Sequence, residues 1–180
     1  MIDTQQTTLG FRDITDQLQK GYYQINKDDV IRNVLVTRRN KHRFTDNPKA
    51  YAFFSDEYNL RGIVFPFDEI IEPNQSYDII IQKILRNNQQ TISDVDAHVY
   101  HDLNPGEKLT VRISRREPNA DPSFKIFKYL SGFVKDDDNS QLYSHLKVGS
   151  IVVVEVINVI RTANQGLHTF VKPLDLIAET

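Results

Sequence analysis

The stretch Lys147-Val-Gly149-Ser150-Ile-Val-Val-Val-Glu-Val-Ile-Asn-Val-Ile160 indicates what kind of fold the chain adopts. A turn at Gly149 leads into a run of mostly valine and isoleucine, and such runs favour extended strands. A long strand entered from a turn is typical of the fourth strand of a small Greek-key barrel. Glycine lets a neighbouring strand bend, and Gly62 and Gly132 stand where those bends are expected.

Several landmarks recur in the same order in the two halves of the chain. Val34-Leu-Val-Thr-Arg38-Arg39 resembles Val111-Arg-Ile-Ser-Arg115-Arg116 in the predicted first strands. Leu60-Arg-Gly62-Ile-Val64 resembles Leu130-Ser-Gly132-Phe-Val134 further along. Each half then has a turn before a long apolar strand that ends in arginine. An ordered repeat of this kind predicts two copies of one supersecondary unit.

The repeat divides the chain into an N-terminal extension over 1–27, a first copy over 28–103 and a second copy over 104–180. Apolar residues three and four positions apart in Phe11–Lys20 predict a short amphipathic helix in the extension. Each copy offers five short strands separated by turn residues. The predicted fold class is therefore mainly β, with two tandem five-stranded Greek-key barrels.

Composition limits the partners that the chain can have. The net charge of −2 excludes a polycation, so affinity for nucleic acid has to come from a local patch. The basic run Arg32–Arg43, which contains no acidic residue, is one candidate, although charged residues also protect exposed strand edges. There is no cysteine, no signal-peptide pattern and no apolar stretch of membrane-spanning length. These features predict a cytoplasmic protein that does not enter a membrane.

Three segments of the second copy resemble the oligonucleotide-binding (OB) fold, especially its TRAM and cold-shock-like variants. They are Gly132-Phe-Val-Lys135, the stretch Leu146–Val154 and Thr169-Phe-Val171. The first copy matches less fully, because Asn74 stands where a glycine is expected. The resemblance implies OB-like barrels that bind RNA or single-stranded DNA, with bases stacked on aromatic side chains beside cationic ones.

Under this interpretation, the nucleic-acid-binding residues are basic or aromatic residues of the early strands in each copy. They are Arg38, Arg39, Lys41, Arg43, Tyr51, Phe53, Arg61, Arg115, Arg116, Lys125, Phe127 and Tyr129. Strand alternation places Lys125, Phe127 and Tyr129 on one face. Some of the aromatic residues must fill the core, and the paired arginines could instead form ion pairs within the fold.

Two other functions remain open at this point. Asp94, Asp96 and His98 would project from one face of a strand and could bind a divalent metal, as in a metal-dependent nuclease. OB-like barrels could also act as a protein–protein adaptor or as a subunit of a larger assembly, such as a ribonucleoprotein. No nucleophile, phosphate-loop or metalloprotease motif occurs. We therefore predict a non-catalytic nucleic-acid-binding protein without a cofactor. Its predicted partner is RNA, either ribosomal or another structured or single-stranded RNA, with single-stranded DNA as the other candidate.

Overall fold

A computed structural model of the chain describes residues 5–20, 24–37, 51–55, 60–86, 93–127, 130–136, 140–163 and 166–178. The chain forms two compact units. The first unit contains Met1–Pro66 and Glu72–Asp102, and the second contains Phe67–Ile71 and Leu103–Thr180. Strands make up most of the described residues, so the prediction of a mainly β protein is confirmed.

The first unit begins with three short elements and continues with five strands. The short elements are β1 (Gln5–Gln6), β2 (Arg12–Asp13) and α1 (Thr15–Gln19). The strands are β3 (Val30–Thr37), β4 (Tyr51–Ser55), β5 (Leu60–Val64), β6 (Gln75–Arg86) and β7 (Ser93–Val99). Antiparallel pairing joins β3 to β4, β4 to β5, β6 to β7 and β3 to β6, whereas β5 and β7 are parallel.

The second unit has five strands and one short helix. They are β8 (Lys108–Arg112), β9 (Ser123–Phe127), β10 (Leu130–Val134), α2 (Ser140–His145), β11 (Ile151–Thr162) and β12 (Gly166–Ala178). Antiparallel pairing joins β9 to β10, β11 to β12 and β8 to β11, whereas β10 and β12 are parallel. A single bridge, Arg115 to Ser123, connects the chain after β8 to the start of β9.

The two units therefore share one pairing pattern, in which the third and fifth strands of each series are parallel and the rest are antiparallel. The described residues form two mixed sheets. The finer prediction of two tandem five-stranded OB-like Greek-key barrels is not confirmed. Among the described residues of the second unit, the bridge from Arg115 to Ser123 is the one pairing between β9 and the chain that follows β8.

Equivalent turns precede the fourth strand in each unit. Asn74 and Gly149 both have positive φ, at 64° and 95°. The Asn74 amide donates to the carbonyl of Val36 at 2.6 Å, and the Gly149 amide donates to the carbonyl of Ile113 at 2.8 Å. Asparagine is among the few non-glycine residues that tolerate this left-handed conformation. The asparagine that departs from the expected glycine therefore forms the same kind of turn.

A second pair of equivalent turns precedes the first strand of each unit. The Asp29 amide donates to the carbonyl of Asn26, and the Glu107 amide donates to that of Asn104. In return, each acidic side chain accepts from the backbone amide of its asparagine, at 2.7 Å and 3.2 Å. This reciprocal bonding satisfies polar groups that the turn would otherwise leave unpaired. The two units thus enter their sheets through the same local chemistry.

The N-terminal helix is shorter than predicted. Within the described segment Phe11–Lys20, helical residues are confined to Thr15–Gln19, and Arg12 and Asp13 belong to strand β2. The amide and hydroxyl of Thr15 both donate to Asp13 Oδ1, at 3.0 and 2.7 Å, and this turn starts the helix just after the strand. The predicted amphipathic helix over Phe11–Lys20 is therefore not confirmed at that length.

The segment Phe67–Ile71 belongs to the second unit although it lies within the predicted first copy, 28–103. It hydrogen-bonds to β8, where the Ile70 amide donates to Thr110 at 2.9 Å and the Arg112 amide donates to Asp68 at 2.7 Å. It also bonds to β9, where the Asp68 amide donates to the carbonyl of Lys125 at 3.0 Å. The segment therefore hydrogen-bonds to both β8 and β9, two strands that make few hydrogen bonds to each other.

No helix among the described residues is both long enough and apolar enough to cross a membrane.

Candidate nucleic-acid interface

An aromatic surface lies on the outward side of the second sheet. Along β10 and β12, buried and half-buried residues alternate, as expected for strands with one face on a core. Because β10 and β12 are parallel, Phe133 pairs with Phe170 and Ser131 pairs with His168. The half-buried rings of Phe133, His168 and Phe170 therefore share one side of the sheet, and we call these three residues the aromatic face.

The rings of the aromatic face contact one another. Phe133 and His168 are stacked, with centroids 5.4 Å apart and planes 23° apart. Phe133 and Phe170 are tilted by 46°, with centroids 6.2 Å apart. These separations lie within the range of favourable aromatic pairs. The contacts hold the rings in place while each keeps part of its surface exposed.

Gly132 explains how β10 places Phe133 outward. A Cβ atom on Gly132 would lie 2.2 Å from the ring of Phe124, a distance that real Cβ atoms do not adopt. Phe124 is a core residue of β9, the neighbouring strand. The ring fills the space that a side chain at 132 would need, so this strand requires glycine there. The glycine predicted from the sequence as a bend is thus also a point of close packing.

Lys135 brings a cation to the edge of the aromatic face. Its Nζ atom lies 4.6 Å from the centroid of the Phe170 ring, within cation–π distance. The same Nζ donates to Asp121 Oδ2 at 2.7 Å. Further along β12, Lys172 forms an ion pair with Glu155 at 3.1 Å. The cations of this surface are therefore held in position by carboxylates.

A polar cleft adjoins the aromatic face. It has a volume of about 560 Å³ and is lined by Arg116, Pro118, Asn119, Ala120, Asp121, Phe133 and Tyr143. We call it the Asp121 cleft. The Arg116 guanidinium lies 4.9 Å from the centroid of the Tyr143 ring, and the Tyr143 hydroxyl donates to Asp121 Oδ1 at 2.7 Å. Phe133 belongs to both the cleft and the aromatic face, so the two are continuous.

The ionisation of the cleft follows from these contacts. Burial alone would raise the pKa of Asp121, but hydrogen bonds from Lys135 and Tyr143 lower it below its ordinary value. The pKa of Tyr143 is raised by burial and by its hydrogen bond to Asp121. At neutral pH the cleft therefore contains an ionised carboxylate beside a neutral phenol.

For seven of the predicted binding residues, the side chains are not among those that the structure describes. Arg38, Arg39, Lys41, Arg43 and Tyr129 lie outside the described residues, as do the side chains of Tyr51 and Phe53 on β4. Their predicted role stays a prediction.

The predicted residues of the second copy fall into different environments. Arg116 lines the cleft, whereas Arg115 is 71% exposed and forms an ion pair with Glu117. Lys125 is half-buried, with Nζ 4.9 Å from the centroid of the Phe67 ring. Phe127 is only 1% exposed, so its ring belongs to the core.

A strand irregularity explains the position of Phe127. Alternation predicts that Phe127 shares a face with Lys125, but the pairing of β9 with β10 shifts register between Leu130 and Ser131. Leu130 pairs with Phe127, while Ser131 pairs with Lys125, so one residue of β9 is skipped. Such a bulge changes the side to which the following side chains point. The expected shared face therefore ends at this bulge.

Arg61 is paired within the first sheet. Its Nε and Nη2 atoms donate to the two carboxylate oxygens of Asp94 at 2.5 and 3.1 Å. The parallel register of β5 and β7 places the two residues side by side. The bidentate pair uses two of the five guanidinium N–H donors and places a carboxylate beside the charge that would attract phosphate.

The same pair bears on the alternative metal site. Asp94 is engaged by Arg61, and His98 is buried with Nδ1 2.7 Å from the carbonyl oxygen of Phe65. Burial raises the pKa of Asp96, which favours its neutral form. In the part of the chain that the structure describes, no group of three histidine or acidic side chains converges as a metal site would require. A nuclease site at these residues gains no support.

Arg32, the first residue of the basic run, forms an internal network. It donates to Asp78 at 2.8 Å, to Asp102 at 2.9 Å and to Asp13 at 3.2 Å. Its guanidinium also lies 5.3 Å from the centroid of the Tyr100 ring. Burial would lower the pKa of Arg32, but these hydrogen bonds raise it. We call Arg32 and its three aspartates the Arg32 brace, because they join β2 to β3 and β6 within the first unit.

Among the residues of the candidate interface that were not predicted are His168, Phe170, Asp121 and Tyr143. Alternation along β12 could have assigned the first two to one face, but only the parallel pairing brings them beside Phe133. Asp121 and Tyr143 lie in a loop and a short helix, and no periodic pattern marks them.

Compared with models of protein families and with curated proteins, the chain matches none of them.

Proposed function

We propose that this chain is a non-catalytic nucleic-acid-binding protein whose aromatic face stacks the bases of single-stranded RNA. The observation that carries the proposal is the row of Phe133, His168 and Phe170, half-buried and adjacent to the Lys135 ammonium group. Aromatic rings next to cations suit a single strand, since bases stack on the rings while the backbone phosphates meet positive charge.

The proposal includes an OB-like architecture for both units. Its support is the shared pairing pattern, which in the first unit runs β3–β4–β5–β7–β6 and returns to β3. In the second unit the same order ends at the bridge between Arg115 and Ser123. An OB fold is a five-stranded, partly open barrel that binds oligonucleotides on the face of its second and third strands. Strand β10, which carries Phe133, is the third of its series.

The net charge of −2 shapes how binding should depend on salt. A chain without overall positive charge gains little from long-range attraction, so stacking should contribute much of the affinity. We expect a modest salt dependence, because few phosphates are neutralised and few counterions are released.

The test is a titration of a fluorescent uridine oligomer, as RNA and as its DNA counterpart, monitored by anisotropy at low and moderate salt. Phe170→Leu keeps apolar volume but removes the ring, and it should weaken binding by about tenfold, since stacking contributes about 1–3 kcal/mol per base. Arg61→Ala is the control, because it removes a cation from the other sheet that is already paired with Asp94. It should change affinity less than about twofold.

Two results would contradict the proposal. One is the absence of binding to any oligomer at low salt. The other is equal affinity of the wild-type protein and Phe170→Leu. If the DNA oligomer binds more tightly than the RNA oligomer, the proposed interface is supported but its ligand is single-stranded DNA.

A second candidate function, protein docking, has one observation in its favour. Ile157 and Ile160 on β11 are 38% and 42% exposed, and Ile160 pairs with His168 of the aromatic face. Exposed apolar side chains next to aromatic ones are common at protein interfaces. A partner that stays bound after nuclease treatment and is lost with Ile160→Ser would favour an adaptor. Oligonucleotide affinity unchanged by Ile160→Ser would separate the two functions.

A further inference from the structure

We propose that the Asp121 cleft binds one nucleobase that presents adjacent N–H donors on its Watson–Crick edge, with guanine as the best fit. The inference rests on the proposed function, because the base would come from a strand lying on the aromatic face. It adds a base preference that stacking alone does not supply, since every base has a π-face.

The position of the cleft favours a base that leaves the stack. Phe133 forms part of the aromatic face and also lines the cleft. A strand stacked on Phe133 could therefore turn its next base into the cleft without losing contact with the protein. The volume of about 560 Å³ lies within the usual range of small-ligand sites.

The walls of the cleft offer a flat surface. Arg116 and Tyr143 lie against each other at 4.9 Å in a cation–π arrangement, and both are half-buried. A hydrogen bond from Arg116 Nη1 to the carbonyl of Ala120, at 3.3 Å, helps to hold the guanidinium. Guanidinium planes and aromatic rings are the surfaces on which splayed-out bases stack.

The carboxylate selects the type of ligand. Ionised Asp121 is an acceptor only, so it attracts N–H donors, and its negative charge offsets the nearby cations Lys135 and Arg116, which would otherwise attract phosphate. The cleft therefore suits a neutral base better than the backbone.

The lone pairs of Asp121 select among the bases. Its Oδ1 accepts from Tyr143 and its Oδ2 accepts from Lys135, each at 2.7 Å. A carboxylate oxygen has about two lone pairs, so each oxygen can accept one further donor. Guanine offers two neighbouring donors, N1–H and the N2 amino group. Adenine, cytosine and uracil place an acceptor beside their donor, which would face the carboxylate.

The experiment compares a uridine oligomer with the same oligomer carrying one central guanosine. With the wild-type protein, the guanosine oligomer should bind about tenfold more tightly, as expected for a bidentate pair of about 1–3 kcal/mol. Asp121→Asn should abolish the difference, because an amide has one acceptor and one donor group. Glu117→Gln is the control, since it removes a carboxylate of the same loop that is exposed and bonded to Arg115.

Asp121→Asn also weakens the hydrogen bonds with Lys135 and Tyr143, so it could affect folding. A second variant keeps the proposal testable in that case. Arg116→Lys keeps the charge but removes the flat guanidinium, so it should reduce the guanosine preference by about threefold or more while uridine binding is retained. Arg115→Lys in the same loop should leave the preference unchanged.

Titration of guanosine monophosphate and inorganic phosphate, followed by the NMR signals of Tyr143, separates this inference from the proposed function. If the uridine oligomer binds but the guanosine oligomer binds no better, the cleft proposal is wrong and the function stands. If guanosine monophosphate binds at Tyr143 while neither oligomer binds, the cleft stands and the function fails. Binding of inorganic phosphate at Tyr143 as strong as that of the nucleotide would also overturn the base proposal.

Discussion

The third and fifth strands of the two units occupy equivalent places but carry different chemistry. Arg61 and Asp94 form a bidentate ion pair across β5 and β7. At the equivalent positions of β10 and β12, Ser131 pairs with His168. Two residues further along, the first unit has Asp96 where the second has Phe170.

This difference shows which parts of a β unit can change independently. Backbone pairing and inward residues hold the sheet together, whereas outward residues do not fill the core and can vary without disturbing the pairing. In the described residues, the outward side of β5 and β7 carries the Arg61–Asp94 ion pair, whereas that of β10 and β12 carries the aromatic face. We therefore expect base stacking in the second unit, and three variants sharpen this comparison.

The largest expected effect is loss of the Arg32 brace in the first unit. Arg32→Leu would leave Asp13, Asp78 and Asp102 close together without their shared cation. Removing one partner from a largely buried ion network costs about 3 kcal/mol. Urea denaturation at neutral pH should show this loss in the free energy of unfolding.

Arg115→Leu is the control for the brace, because Arg115 is 71% exposed and its single ion pair should contribute less than about 0.5 kcal/mol. Equal losses for the two variants would mean that the Arg32 network does not stabilise the first unit. Affinity for the uridine oligomer should also survive Arg32→Leu under conditions where the protein stays folded, if binding belongs to the second unit.

An intermediate effect is expected at Gly132 in the second unit. Gly132→Ala forces a methyl group against the buried Phe124 ring, and such overpacking costs about 2 kcal/mol. Because the strain displaces β10, this variant should also weaken oligonucleotide binding. Thermal unfolding and anisotropy measure the two effects.

Gly106→Ala separates crowding from backbone strain. Gly106 has φ of 90°, but no atom lies within 4 Å of its added Cβ. It should cost about 1 kcal/mol through its left-handed backbone and leave oligonucleotide affinity unchanged. If Gly132→Ala costs no more than Gly106→Ala, the close packing against Phe124 does not constrain the strand.

The smallest effect is a gain of stability at Asp96, the counterpart of Phe170. Burial raises the pKa of this carboxyl group, and its Oδ1 atom has no hydrogen-bond partner among the described residues. Since the folded-state pKa exceeds the unfolded value, this group favours folding at low pH, and that contribution is lost as pH rises through the folded-state pKa. Asp96→Asn replaces the carboxylate by an uncharged amide and so avoids the cost of burying the charge. It should stabilise the protein by about 1 kcal/mol at neutral pH.

The pH dependence identifies the cause. The stability gained by Asp96→Asn should disappear below about pH 4, because the Asp96 carboxyl group is then protonated in both the folded and the unfolded protein. Asp175→Asn, at an exposed position of β12, should have no comparable effect at either pH. An advantage of Asp96→Asn that is independent of pH would show that ionisation is not responsible.

The sequence by itself determined the features that depend on neighbouring residues. Runs of β-branched residues gave the strands, and the left-handed turns at Asn74 and Gly149 follow from residues that tolerate positive φ. The recurrence of Leu60–Val64 as Leu130–Val134 marked strands with the same bounds, β5 and β10. These are local properties of the backbone, which sequence patterns report directly.

Only the tertiary structure decided which side chains meet. Arg61 forms an ion pair with Asp94, and Phe133 contacts His168 and Phe170, because their strands are adjacent in the sheet although distant in sequence. The bulge between Leu130 and Ser131 places Phe127 in the core, against the alternation of its strand. Ion pairs, stacks and bulges arise from the register between strands, and register depends on the packing of the whole sheet.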